Sequence, residues 1–444
     1  MGLPTVHPKA IDGGDPRNVR GDPITGERFY SRDFMQQEWD HMWKRIWHVA
    51  GRENEIPEPG DFMVHDFMHE SVICVRQDDG TIRAFYNACR HRGQRLAWDE
   101  GHVDAFTCPY HGWVWGRDGL LVDLPDPDDF PQGNPCGTRR LKELQCDTWG
   151  SFVWYTMDPN APPLMEYLDP MPDLYRHWPM DRLVRVANMR IALDANWKFA
   201  SENFSESYHT RTAHPQVPAW IDQDHWTSVF EMFPAGHGRI VQPGRPSLRD
   251  RPADGEAVPF DDILRAWDID PARYPDYETK VMKGWEDLQK AKQEKWREKG
   301  YAHYEHMTPT ELTDSPHNVV FPNVTLSFLP DDVIFFRTEP HPDDPNKCYF
   351  DLWHMVFPVE GVDEAQTMAG PRPLEEAERV HRVFDQGRGV PEMHGQIVFQ
   401  DMMLAEGQQR GWRSQGYDDA YLAGQETRVR RWHEVLNDYL EGRR

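Results

Sequence analysis

Apolar positions change rhythm along the chain. A Pro/Gly-rich leader runs to Gly26, after which Phe34, Trp39, Met42, Trp43 and Trp47 keep returning to one face, a spacing that predicts an amphipathic helix. Short strands follow. The runs 71–76 and 81–86 flank Asp78-Asp79-Gly80, whose Asp-Gly step supplies the positive φ of a tight hairpin turn. Residues 102–107 predict another strand and 114–120 a further hairpin, so the region reads as a compact β unit. It closes at the Pro-rich linker Asp158-Pro159-Asn160-Ala161-Pro162-Pro163.

Beyond the linker the texture becomes mixed. Helical patterns appear around 196–210 and 278–299, a hairpin over 324–338 turns at Pro330-Asp331-Asp332, and helices return toward the end. This predicts an α+β fold, a small antiparallel-β domain followed by an antiparallel sheet with helices. Val281, Met282, Trp285, Leu288, Ala291 and Trp296 form one helical stripe before a C-cap at Gly300. The stripe reads as the packed face of a surface helix, with a lid over a substrate entrance as the alternative. There is no internal repeat, low-complexity tract or heptad pattern.

Composition narrows the function. A chain of 444 residues, 39% hydrophobic and 28% charged, is globular and long enough for roughly two or three domains. Its 49 Lys+Arg against 74 Asp+Glu give a net charge of −25, which repels phosphate backbones and anionic membranes, so nucleic-acid and membrane binding are not expected. No run approaches the ~20 apolar residues of a membrane span, and the N-terminus lacks a basic-then-apolar signal, so a cytoplasmic location is expected. Six cysteines are too sparse for a disulfide scaffold, and clustered Cys/His in a reducing compartment points to metal.

Two constellations carry the chemistry. The first is Cys89-Arg90-His91-Arg92-Gly93 followed by Cys108-Pro109-Tyr110-His111-Gly112-Trp113. Each arm offers a thiolate and an imidazole on a loop at a strand end. Two Cys on one iron and two His on the other is how a Rieske [2Fe–2S] centre is held, and imidazole in place of thiolate raises its potential. A Cys₂His₂ zinc site is the alternative, disfavoured by the single residue between Cys89 and His91. Cys74, Cys136, Cys146 and Cys348 have no partner at metal spacing and read as buried or half-buried small residues.

The second is Glu202-Asn203-Phe204-Ser205-Glu206-Ser207-Tyr208-His209 leading to His214-Pro215. Glu202, Glu206 and His209 at i, i+4 and i+7 would share one helical face, between Trp197, Phe199, Phe204 and Tyr208. Ionisable groups in so apolar a setting bind something. His209 and His214 would lie about 140° apart on an ideal helix, so the helix should distort or end between them, helped by Pro215.

Both constellations resemble the Rieske non-heme iron oxygenases, aromatic-ring-hydroxylating dioxygenases among them. The likeness runs from the helix near Met42 and the Pro57-Glu58-Pro59-Gly60-Asp61-Phe62 entry to the helix after residue 401. It implies residues 1–45 as a helical leader packing on the catalytic domain, 46–160 as the Rieske domain, and 161–444 as the mononuclear iron domain. It assigns Cys89, His91, Cys108 and His111 to the cluster, and His209, His214 and Asp401 to Fe(II) as a 2-His-1-carboxylate triad with open positions. Asp401, Glu406 and Gln409 sit at the family's spacing, although by composition alone Asp401 would be a surface acid.

By the same resemblance Glu206 bridges His209 to His111 of a neighbouring subunit, an orienting role typical of carboxylates behind metal-bound histidines. Asn203 is counted with it as serving catalysis. Many ring-hydroxylating dioxygenases have Asp at this bridging position, and Glu is similar to choline and carnitine monooxygenases. The chain lacks nucleotide-binding glycine motifs and a ferredoxin-type Cys run, so electrons from NAD(P)H must come through a reductase, with or without a ferredoxin. The implied assembly is a homotrimer, or α₃β₃ with a β subunit, in which one subunit's cluster serves the next subunit's iron. The implied reaction uses O₂ to hydroxylate a small aromatic or hydrophobic substrate, with cis-dihydroxylation first. A monooxygenase or demethylase, including one for quaternary amines, is the alternative, and a pure electron carrier is a remoter one.

Overall fold

The computed structural model describes residues 6–251, 258–383 and 395–444. The chain divides into two compact units, Gln37–Pro172 and the pair of segments Met1–Gln36 and Asp173–Arg444. The boundaries expected after residues 45 and 160 therefore lie several residues from the observed division.

The smaller unit is built from strands. A seven-stranded sheet runs in the order Trp47–Arg52, Phe152–Thr156, Glu143–Trp149, Ile82–Tyr86, Glu70–Arg76, Asp61–Phe67, Glu100–His102, and a three-stranded sheet joins Ala105–Thr107, Val114–Gly116 and Leu121–Asp123. The hairpin at Gly80 forms with φ +82° at the glycine. Alternation feeds two cores from the same strands: Ile73, Val75 and Phe85 pack with the cysteine loops, while Val72, Cys74 and Ala84 pack with Met63, Leu144 and Tyr155 on the other face.

Two expectations need correction here. The helix Arg32–Glu38 gives way to a wider turn over Trp39–Trp43, and Trp47 opens a strand. Residues 102–107 form two strands instead of one: Glu100–His102 pairs with Asp61–Met63, and Ala105–Thr107 pairs with Val114–Gly116 in the other sheet. Each end of that run finds a different partner, which local periodicity cannot register.

The larger unit is an α+β layer structure. Its nine-stranded sheet runs Ile11–Asp12, Val229–Met232, Gly238–Gln242, Ser315–Val320, Val324–Leu329, Asp332–Pro340, Cys348–Val356, Val184–Leu193, Val380–Val383, antiparallel except for the last pair. The helix Tyr277–Lys295 buries Val281, Trp285, Leu288 and Ala291 as one stripe, with Gly300 at φ +80° just beyond it. The register His317↔Ser327↔Ile334 and Thr325↔Phe336 puts His317, Ser327 and Phe336 on one sheet face. Phe204 stacks on that face at 4.6 Å from Phe336, and the Phe204–His317 ring distance is 5.5 Å.

Two candidate metal centres

The two cysteine loops of the smaller unit share one backbone design. Cys89 N donates to Gln94 O and Gly93 N to Cys89 O; Cys108 N donates to Trp113 O and Gly112 N to Cys108 O, all at 2.8–3.0 Å. Each turn closes on a glycine four residues after its cysteine, with φ +81° at Gly93 and +68° at Gly112, a region that L side chains rarely adopt. The loops bring the two thiols to the interior, Cys89 at 1% and Cys108 at 2% exposure, with His91 and His111 half-buried above them. The imidazoles meet edge to face at 4.5 Å, and His91 stacks flat on Trp113 at 4.7 Å.

Electrostatics favours metal over free thiol chemistry. Burial pushes the Cys89 thiol up, with Cys108 beside it, so it becomes a thiolate only against a cation. Burial and the neighbouring His111 pull His91 down and keep it neutral, the form that ligates. His91 Nδ1 is buried without a hydrogen-bond partner among the described residues. An orphaned ring nitrogen on a loop that also carries a buried thiol fits a ligand of a bridged cluster.

In the larger unit, the helix Lys198–Asn203 stops before Glu206. The expected common face of Glu202, Glu206 and His209 therefore does not form. Ser205 breaks the ladder by donating its hydroxyl to Ser201 O at 2.7 Å, and Phe204 turns onto the sheet. A one-turn helix, Thr210–Ala213, then ends at His214, whose φ −125° and ψ 64° lie outside the α region as the following proline requires.

This broken path aligns the histidines. His209 Nε2, His214 Nε2 and an Asp401 oxygen all lie within 4.8 Å of one another, with Asp401 delivered by the helix Gln396–Trp412. Asp401 Oδ1 stands 3.0 Å from His214 Nε2 and 3.7 Å from His209 Nε2, yet it is buried without a hydrogen-bond partner among the described residues. Each ring is fixed from behind: Glu206 Oε1 holds His209 Nδ1 at 2.5 Å, and Gln400 Oε1 holds His214 Nδ1 at 2.8 Å. With Nδ1–H donating outward, both Nε2 lone pairs face the carboxylate. The donor set fits one divalent cation with N/O preference and open positions. Burial pulls the His209 imidazole down, but the Glu206 carboxylate overrides this and the net shift is upward.

The remaining residues fall around this centre. Glu202 lines the cavity beside His209 but accepts from His433 Nε2 at 2.7 Å, and burial raises its carboxyl to about 8. Asn203, Glu206 and His209 line one cavity of about 400 Å³ with Gln408, Tyr417 and Glu426. Gln409 locks the helix of Asp401 in place by accepting from Asn196 N and donating to Phe29 O. Gln400 escaped the sequence reading as a site residue although it adjoins Asp401, because a partner 186 positions from His214 leaves no trace in spacing.

Comparison with known proteins follows this geometry. The model of the "Ring hydroxylating alpha subunit (catalytic domain)" family matches residues 180–442, and that of the "Rieske [2Fe-2S] domain" matches 46–141. Among curated relatives, the glycine betaine monooxygenase oxygenase subunit of Chromohalobacter salexigens is 32% identical over 203 residues, covering 45% of each chain. The biphenyl 2,3-dioxygenase subunit alpha of Rhodococcus jostii is 34% identical over 211 residues, covering 45% of this chain and 44% of its own. The matches thus span less than half the length of these two relatives. Among solved structures, a quaternary ammonium Rieske monooxygenase in complex with L-carnitine has a TM-score of 0.65 at 17% identity, covering 97% of this chain and 99% of its own. Naphthalene 1,2-dioxygenase with indole bound has a TM-score of 0.63 at 20% identity, covering 99% and 95%. At these identities the two structures establish the fold.

Proposed function

This chain belongs to the ring-hydroxylating oxygenase α subunits that carry a Rieske [2Fe–2S] domain, and from that premise we propose that it is the terminal oxygenase of a multicomponent system that uses O₂ to hydroxylate a hydrophobic substrate. The observation that carries the reading is the convergence of His209 Nε2, His214 Nε2 and Asp401 Oδ1 with both Nδ1 atoms tied off behind them. Cys89, Cys108, His91 and His111 would hold the cluster, and His209, His214 and Asp401 the iron. Bound there, the two groups supply single electrons and the reductive activation of O₂.

The protein's own part is placement. Glu206 and Gln400 keep a proton on each Nδ1 and fix the ring planes, so both Nε2 lone pairs stay aimed at one point. Phe204, Phe336 and Phe350 pack on one another on the sheet face, an aromatic cluster that anchors the turn leading to Glu206 and His209. Asn203 and Glu206 share the cavity beside His209; in a trimer or an α₃β₃ assembly Glu206 would bridge from there to His111 of another copy. Electrons reach the cluster from NAD(P)H through a reductase, with or without a ferredoxin.

cis-Dihydroxylation is the first outcome. Monooxygenation or demethylation is the second, favoured by glutamate at 206 and by relatives that include a glycine betaine monooxygenase and an N,N-dimethyl phenylurea N-demethylase. A single-turnover reaction of the reduced protein with ¹⁸O₂ and a panel of aromatic, terpenoid and quaternary-amine compounds separates them. Two labelled atoms on adjacent carbons establish the dioxygenase; one labelled atom, or loss of a methyl group, establishes the second reading. No product from any compound, with cluster and iron both loaded, counts against a hydrophobic or amine substrate.

A further inference from the structure

The break between the two short helices leaves backbone carbonyls without helical partners. One of them is taken by a buried side chain from a distant element. The Ser205 carbonyl accepts from Arg428 Nη2, on the helix Thr427–Leu440. The Phe204 ring beside it lies 5.5 Å from that of His317, on the strand Ser315–Val320. His317 Nδ1 meets Ser327 Oγ at 2.6 Å, which holds the ring on the sheet face.

Arg428 is an expensive residue to place there. It is 3% exposed, its Nε and Nη1 have no hydrogen-bond partner among the described residues, and burial lowers it to about 9. Its stem fills the space that Gly13 leaves open, where a Cβ would come within 2.9 Å of Arg428 Cγ, and its head lies 5.9 Å from the Phe230 ring. The opposite charges it meets are those of Glu206 and Glu231, and Glu231 is already paired with Arg239. A guanidinium that spends its one strong hydrogen bond on the carbonyl before Glu206 acts on the path of the chain into Glu206 and His209.

We propose that Arg428, assisted by His317, is a positioning residue of the iron centre: with Arg428 holding the Ser205 carbonyl and His317 packed against Phe204, the turn is set that aims Glu206 at His209 Nδ1 and His209 Nε2 at Asp401. The inference rests on the function proposed above. It makes the C-terminal helix and the sheet joint supports of a ligand that sits on neither.

The test uses the full chain and nitric oxide as the probe of mononuclear ferrous iron. Arg428→Met keeps bulk and removes the donors; Arg428→Lys keeps a charge and a donor; His317→Asn, which perturbs only the packing against Phe204, covers the case in which Arg428→Met does not fold. Arg428→Met is expected to weaken Fe(II) binding about 10–100-fold and to split the electron paramagnetic resonance signal of the ferrous–nitrosyl adduct into several species, with the cluster absorption unchanged. Arg428→Lys should recover most of the affinity, and His317→Asn should show a smaller loss of the same kind. A merely structural Arg428 would lower the melting temperature while leaving the Fe(II) affinity and the nitrosyl signal as in the wild type, and that result overturns the proposal. If Arg428→Met does not fold, an unchanged nitrosyl signal in both Arg428→Lys and His317→Asn overturns it equally. A wild-type chain that forms no nitrosyl adduct overturns the function itself, and this inference with it.

Discussion

At the scale of single residues, the sequence offered the candidate ligands and Glu206 behind His209, but not Gln400 or Arg428. Cys89, His91, Cys108 and His111 stand out because local spacing alone places two thiols and two imidazoles on short loops. Gln400 is the counterexample, a neutral amide whose value lies wholly in reaching His214 Nδ1. Its neighbour Gln216 also donates to Gln400 Oε1 at 2.9 Å, which holds the amide oxygen toward the histidine. Gln400→Ala should therefore cost about 10–100-fold in iron affinity or turnover with the cluster spectrum intact, as metal titration of the variant would show; Gln400→Glu, which keeps an acceptor, should lose less. Glu202 predicts a pH effect. Burial raises its folded value from 4.5 to about 8, with Lys198 and Arg28 opposing and Glu426 adding to the rise. Between those pH values the folded chain holds a proton that the unfolded chain has released, so this group's contribution to stability falls as pH rises from about 4.5 to 8. Glu202→Gln keeps an oxygen for His433 and removes the titration. Thermal melts at pH 5, 6.5 and 8 should show the variant gaining on the wild type as pH rises; a constant difference would refute the assignment.

At the scale of elements, what could be read depended on whether the determinant was local. The hairpin at Asp79-Gly80 and the helix Tyr277–Lys295 were legible because a turn residue and a stripe lie within one element. The break after Asn203 was misplaced, since the pattern 196–210 is helical in period while Ser205 and the sheet-bound Phe204 end the helix early. The strand expected over 102–107 failed for a related reason, because its two halves are claimed by different sheets. The paired cysteine loops supply the test at this scale. A Cβ at Gly93 would meet nothing within 4 Å, and one at Gly112 would come no closer than 3.4 Å to Pro125, so alanine at either site is opposed by backbone conformation and not by crowding. Each substitution should cost about 1–2 kcal/mol, read as a lower temperature for loss of the cluster's visible absorption. Gly93→Asn should cost less than Gly93→Ala, because asparagine tolerates the left-handed region better.

At the scale of the whole molecule, the two units protect their centres to different degrees. In the smaller unit both cysteines are almost wholly enclosed by a core containing Trp113, Trp115 and Phe106. In the larger unit the proposed ligands are three, and one of them, His209, has 19% of its side chain exposed. A centre with three protein ligands and open positions exchanges its metal more readily than one bridged by buried thiolates. The net charge of −25 works in the same direction, concentrating cations around the protein and speeding Fe(II) return at low ionic strength. A chelator under anaerobic conditions should therefore strip the mononuclear iron first, abolishing turnover while the cluster's absorption persists. Added Fe(II) should restore turnover, faster at low than at high salt. Parallel loss of both signals during chelation would show instead that the two centres share one exposure, contrary to the burial of Cys89 and Cys108.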